Sequence, residues 1–259
     1  MYKIIAMDFD DTILTNDKRI TKESIEYLKD LKSKGYIIVG VTGRNLNSVL
    51  DIGNPDIFNY LVLNNGCDIY DVDKKIKESI YRVDRDIVKK LIDMFRSSAS
   101  KIDCCTTSSY YYISDNVSTN TKPFIIKVND ISEISEEISR MNIFLKDNSN
   151  IEKLEASLSD IDNIDAFIMQ DSNDSNRWLV IMPRGVNKSS TLELLAKRLN
   201  LSLKDVIFFG DGANDVELMK SSGLGVAMSN ALEEVKNASD DITLSNEEDG
   251  VINYLKRLY

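Results

Sequence analysis

An apolar run, Ile4-Ile5-Ala6-Met7, leads directly into Asp8-Phe9-Asp10-Asp11-Thr12. Three carboxylates and a hydroxyl at the end of a buried strand repel one another unless a bound cation or a reaction uses the charge. Strand side chains alternate, so Asp8 and Asp10 are expected on one side and Phe9 on the other. Three other places supply complementary chemistry. Thr42-Gly43 offers a hydroxyl and open backbone N–H groups, and Lys188 a mobile positive charge. Gly210-Asp211-Gly212-Ala213-Asn214-Asp215 adds two carboxylates around a tight turn. The acids suit a magnesium (Mg²⁺) site made of oxygens, while Lys188, Thr42 and the N–H donors suit a phosphate. A metal beside a phosphate, with a carboxylate in reach, describes phosphoryl transfer through an aspartyl-phosphate.

Composition removes most rivals. The chain has no histidine, which excludes a Ser-His-Asp triad, a Cys-His pair and His-ligated zinc. A formal net charge of −10 argues against nucleic-acid backbone binding, but not against a small anionic substrate held by a local positive site. Cys67, Cys104 and Cys105 are odd in number and lack a Cys-x-x-Cys spacing, so no disulfide framework is expected and a cytoplasmic location fits. No apolar stretch reaches the roughly 20 residues of a membrane span, so no membrane partner is expected. Oligomeric state is not readable from these residues.

The elements that must position this chemistry follow an α/β rhythm. Thr21-x-x-Ser24 opens a helix with Ile25, Leu28 and Leu31 apolar, stopped by Gly35. Apolar strands are expected at 36–41 and 60–63, with a short helix at 47–52 between them and a hairpin around 68–77 after them. The pattern then changes. A helix over 84–99 presents Ile87, Leu91, Met94 and Phe95, strand runs occupy 102–106, 110–114 and 124–128, and a weak helix covers 131–141. Further strands are expected at 143–146, 164–170 and 178–182. The α/β rhythm returns with a helix at 188–199 and a strand at 206–209. Smaller elements then lead to a closing helix at 249–258. The expected fold class is therefore α/β, a doubly wound parallel sheet with an inserted α+β domain. Residues 1–81 and 184–259 would form a discontinuous core, and 82–183 the insertion. If the strands are parallel, their carboxyl ends meet at one crevice, where such sheets bind ligands.

In motif order and content the chain resembles the haloacid dehalogenase superfamily of phosphohydrolases, in its Cof-like branch. Asp8-Phe9-Asp10-Asp11-Thr12 is similar to that family's first motif and Thr42-Gly43-Arg44 to its second. Lys188 matches the third, and Gly210-Asp211-Gly212-Ala213-Asn214-Asp215 the fourth. The resemblance implies a Rossmann-like core with an α/β cap that sets specificity. It implies Asp8 as nucleophile and Asp10 as general acid and base. Mg²⁺ would be held by the Asp8 carboxylate, the Asp10 backbone carbonyl and Asp211, with Asp215 behind them. Thr42, Gly43 and Lys188 would bind phosphate, with Asn214, Arg44, Asp11 and Thr12 as substrate or phosphate contacts. The implied substrate is a small phosphorylated metabolite: a sugar phosphate, or a cofactor such as pyridoxal phosphate or flavin mononucleotide. Two rivals remain at this stage: a phosphohexomutase-like phosphotransferase, and a non-catalytic regulatory protein that binds sugar phosphates. The family's dehalogenases lack the acid that Asp10 supplies, since a halide needs no proton, so Asp10 favours phosphate chemistry.

Overall fold

The computed structural model describes residues 2–114, 122–158, 160–170 and 176–259. They divide into two compact units, one of Met1–Arg44, Val49–Glu78 and Asn187–Tyr259, the other of Asn45–Ser48 and Ser79–Val186. No helix among the described residues is long and apolar enough to cross a membrane.

The first unit is built on one sheet. Its strands are β1 (Ile4–Met7), β2 (Ile37–Val41), β3 (Tyr60–Leu63), β4 (Asp68–Asp71) and β5 (Ile76–Ser79). In the second unit lie β6 (Ala99–Cys105), β7 (Tyr110–Ile113), β8 (Ile125–Lys127), β9 (Arg140–Leu145), β10 (Ile164–Gln170) and β11 (Arg177–Pro183). The first sheet is completed by β12 (Val206–Gly210), β13 (Leu224–Ala227) and β14 (Asp241–Ile242), in the order β14-β13-β12-β1-β2-β3-β4-β5. Pairing is parallel from β14 through β3 and turns antiparallel at β4. The central strands are buried apart from Ile37 at the start of β2, which is why they read as unbroken apolar runs instead of alternating ones. Met7 lies level with Gly40 on one side and Phe209 on the other. The chain therefore leaves β1, β2 and β12 at one height, with β2 and β12 on opposite sides of β1. That change of direction is the switch point where such sheets form their crevice.

Helices α1 (Lys22–Ser33), α2 (Leu46–Ile52, crossed by the unit boundary), α3 (Arg85–Phe95) and α4 (Ile151–Leu158) precede α5 (Lys188–Arg198), α6 (Val216–Ser221), α7 (Glu233–Ala238) and α8 (Gly250–Leu258). Helix α1 starts where expected: the Thr21 hydroxyl accepts from the Ser24 N–H at 3.0 Å, and Leu28 and Leu31 are buried.

The second unit is a six-stranded sheet, β10-β11-β9-β6-β7-β8, with α3 and α4 packed on an apolar cluster at one face. Two expectations fail here. Residues 131–141 are not a helix: a single tight turn at Ile131–Glu133 gives way to a loop, and Arg140 and Met141 open β9. The buried Ile131, Ile134 and Ile138 imitate a helical stripe, but serines and β-branched residues offer little helix propensity. The Arg85 guanidinium instead holds the loop by donating to the carbonyls of Ile131 and Ile134. In α3 the inward residues are Val88, Leu91, Ile92 and Phe95, while Met94 is half exposed and the helix ends at Phe95. All three cysteines are buried and unbridged.

Candidate active site

The residues singled out by the sequence at three strand ends and one helix start come together in the first unit. Asp8 follows β1, and its N–H donates to the Phe209 carbonyl at 2.9 Å, which continues the parallel ladder one residue past the strand. The chain then turns sharply. Phe9 is buried and stacks on Phe58 with ring centroids 5.2 Å apart, and the Leu14 N–H closes the turn on the Phe9 carbonyl at 2.9 Å. Burying that one ring leaves Asp8, Asp10 and Asp11 along the rim. The Asp8 Oδ1 accepts its neighbour's N–H, from Phe9, at 2.7 Å.

Lys188 is the first residue of α5, where the expected helix begins. The Asn187 side chain caps that helix by accepting from the Ser190 N–H at 2.8 Å. The Lys188 Nζ lies 2.9 Å from Asp8 Oδ2 and 2.7 Å from Asp215 Oδ1, with only 1% of its side chain exposed. Burial opposes the ammonium, but the two carboxylates outweigh it and hold Lys188 protonated beyond the ordinary lysine range. The Asp215 Oδ2 accepts the Asp211 and Gly212 N–H groups, each at 3.1 Å. The Asp211 Oδ1 accepts the Thr12 hydroxyl at 2.7 Å. Thr12 thus braces Asp211 across the crevice.

One oxygen from each of Asp8, Asp211 and Asp215 lies within 4.8 Å of the others. Three carboxylates share one ammonium. Burial, opposed by Lys188 but reinforced by Asp215 and Asp211, pushes the Asp8 carboxyl well above its ordinary value. Burial and Asp215 push Asp211 up to about 7. This excess negative charge and its hard-oxygen donors fit a divalent cation. Asp215 already accepts three hydrogen bonds, which suits it to holding the loop.

Asp10 behaves differently. Its carboxylate lies outside that acid group and is gripped by Arg44, from Nε to Oδ2 and from Nη2 to Oδ1, both at 2.7 Å. The Lys18 Nζ stands 3.1 Å from Asp10 and 3.2 Å from Asp11. Burial alone would raise the Asp10 carboxyl, but Arg44 and Lys18 hold it below the ordinary carboxylate range. Thr42 is buried at the end of β2, its Oγ1 accepting the Arg44 N–H at 3.1 Å, with Gly43 between them. The Asn214 Nδ2 donates to Asn65 Oδ1 at 3.1 Å.

Two members of this cluster are missing from the sequence reading. Lys18 reads as part of a surface loop, and Asn65-Gly66 as a plain turn. The available signal for Asn65 is its place at the carboxyl end of β3, level with the other motif loops. Asp11 has φ +56°, a conformation glycine adopts freely. Asp11→Gly loses a partly exposed ion pair but relieves the backbone, so kcat/KM should stay within about threefold of wild type. Steady-state phosphate release checks it, and a loss of about a hundredfold would give Asp11 a role in turnover.

A sequence profile described as haloacid dehalogenase-like hydrolase matches residues 5–255. The chain belongs to that family. This Cof-like hydrolase acts on phosphoric monoester bonds, in keeping with the phosphatases it is similar to. It is 28% identical to Phosphatase YwpJ of Bacillus subtilis, over 99% of each chain. It is 27% identical to the 5-amino-6-(5-phospho-D-ribitylamino)uracil phosphatase YitU of the same organism, over 99% of this chain and 97% of that one. The crystal structure of a haloacid dehalogenase-like hydrolase from Bacteroides thetaiotaomicron matches the whole of this hydrolase, with a TM-score of 0.85 and 25% identity.

Proposed function

We propose that the protein is a Mg²⁺-dependent phosphatase of small phosphomonoesters that works through an aspartyl-phosphate on Asp8. The observation that carries this reading is the buried Lys188 ammonium between Asp8 and Asp215, beside Asp211. Asp8 attacks phosphorus in line, and the bond to the ester oxygen breaks. Asp10 gives its proton to that oxygen, then takes a proton from the water that attacks the aspartyl-phosphate and frees Asp8. Lys188 fixes the Asp8 carboxylate and meets the phosphate. Thr42 and the Gly43 N–H hold phosphate oxygens, and Arg44 orients Asp10. A cation held by Asp8, the Asp10 carbonyl and Asp211 would neutralise charge shared by nucleophile and phosphate. Residues 82–183 act as the cap that selects the leaving group. The substrate class is a phosphorylated sugar, a ribityl-type polyol phosphate like that named for YitU, or a phosphorylated cofactor.

Phosphate release from a panel of such esters tests this. Release with Mg²⁺ and none with EDTA is expected, and EDTA-resistant release would remove the metal from the reading. The acids also predict a pH dependence. Asp211, titrating at about 7, must lose its proton to bind a cation, so Mg²⁺ should bind about tenfold more tightly at pH 8 than at pH 6. The stability of the metal-free chain runs the opposite way. A carboxyl raised in the folded chain stabilises it below about pH 4, and that contribution is lost as pH rises through about 7. The rise in Tm on adding Mg²⁺ should therefore be larger at pH 8 than at pH 5.5. Calorimetric titration and thermal melts at these values check both, and a pH-independent affinity would contradict the charge balance described here.

A further inference from the structure

The turn after β3 holds three left-handed residues in a row. Asn64, Asn65 and Gly66 have φ of +50°, +55° and +108° in succession. Asn64 and Asn65 are buried. Consecutive left-handed residues persist only where their surroundings impose them, and they gather at functional sites. Here the surroundings can be named. The Asn65 N–H donates to the Thr42 carbonyl at 3.0 Å and the Asn64 N–H to the Arg44 carbonyl at 2.9 Å. The Gly66 carbonyl accepts the Thr191 hydroxyl at 2.6 Å. A Cβ on Gly66 would lie 2.3 Å from the Asn187 carbonyl, so only glycine lets the turn press against the start of α5, where Lys188 sits. The same turn thus ties the Thr42–Arg44 loop to the helix that carries Lys188.

The Asn65 side chain adds a third tie. Its Oδ1 accepts from the Asn214 Nδ2 at 3.1 Å, and it would meet a Cβ on Gly43 at 3.0 Å, so the amide lies against the Gly43 backbone. On the other side, the Asn214 Oδ1 reaches over Gly212, 2.9 Å from where a Cβ would stand. The nitrogen end of the Asn214 amide is therefore held by Asn65. An amide nitrogen carries two hydrogens. Asn65 takes one and fixes the plane in which the other is offered.

We propose that Asn65 is a positioning residue: it orients the Asn214 amide, against the Gly43 backbone, to present its second N–H to the phosphate of the substrate. This rests on the phosphatase reading and on Asn214 as the phosphate contact. Residue type supports it. Glycine would serve the left-handed backbone at lower cost, whereas asparagine tolerates that backbone and supplies an acceptor for Asn214.

Asn65→Gly keeps the backbone conformation and deletes only the amide, so it separates positioning from folding. The test is a double-mutant cycle with Asn214→Ala, read twice in the full-length protein: as kcat/KM for phosphate release, and as Kd for inorganic phosphate by calorimetry. Each single variant should lose about thirtyfold in kcat/KM with Tm unchanged or raised for Asn65→Gly. The double variant should lose about the same thirtyfold instead of the product of the two. The Kd values should show the same coupling. Wild-type kcat/KM and Kd in Asn65→Gly would overturn the proposal. So would additive losses, or losses that follow a fall in Tm, since those describe a structural turn. If wild type releases no phosphate while the Kd cycle is coupled, the positioning role stands and the phosphatase reading falls.

Discussion

Asp8→Asn is expected to abolish turnover, by about 10⁴-fold or more, while leaving the fold intact. Three features make the position decisive. The Asp8 carboxylate ends the central strand at the switch point of the sheet, where β2 and β12 flank it. Its Oδ2 is held by Lys188 at 2.9 Å, and its Oδ1 by the Phe9 N–H at 2.7 Å. An amide of the same shape can still accept from Phe9, but its oxygen is a poor nucleophile and forms no stable acyl phosphate. The fold should survive because the amide keeps the shape of a buried carboxyl whose charge burial disfavours and Asp215 and Asp211 repel. Metal-free Asp8→Asn should therefore melt no lower than metal-free wild type. Two measurements check this: phosphate release, and retention of radiolabel from a labelled ester after acid quench. Wild type should carry acid-stable label on the chain and the variant none. Turnover by the variant at the wild-type rate would end the aspartyl-phosphate reading.

How much of this was legible in the sequence differs by kind of residue. Asp8, Asp10, Thr42 and Asp211 stand where apolar strands stop, and an apolar run that ends in charge can be read without a structure. Lys188 was legible as a positive charge at the start of a helix, but its partners were not: only the folded chain shows its ammonium buried between Asp8 and Asp215. Asp10 shows the limit of strand alternation. The turn around buried Phe9 begins immediately after Asp8, so the two-residue period no longer governs, and the Asp10 carboxylate goes to Arg44 and Lys18. Lys18 and Asn65 were missed for a related reason. Both sit on left-handed backbone, +57° and +55°, which no hydrophobic period encodes, and the Asn65 partner Asn214 is distant in sequence. Residues 131–141 misled because isoleucines spaced as on a helix also suit a loop that runs along a core. There the tertiary partner, Arg85, decided the outcome.

Asp10→Asn should give the most informative loss, because its size depends on the leaving group. For alkyl phosphates the ester oxygen cannot depart without a proton, so loss of the acid should slow release by about 10²–10⁴-fold. For p-nitrophenyl phosphate the departing phenolate is stable unprotonated, and formation of the aspartyl-phosphate should slow far less. Hydrolysis of that intermediate still requires a base for the attacking water, and Asn supplies none. The variant should therefore release one equivalent of nitrophenolate in a burst and then stall, while alkyl esters give no burst. Fold loss is not the cause to expect: the Asn carbonyl can retain one bond from Arg44, and Lys18 keeps Asp11. The grip of Arg44 on Asp10 bears on the same experiment. A carboxylate held this firmly, below its ordinary range, is a poor acid until the grip loosens. Arg44→Lys, with a single point charge in place of a two-pronged guanidinium, should leave the p-nitrophenyl burst rate nearly unchanged while altering alkyl-ester turnover. A stoichiometric burst from Asp10→Asn places proton transfer on Asp10. Equal slowing for aryl and alkyl esters would assign that proton to another group and leave Asp10 as a support for the loop.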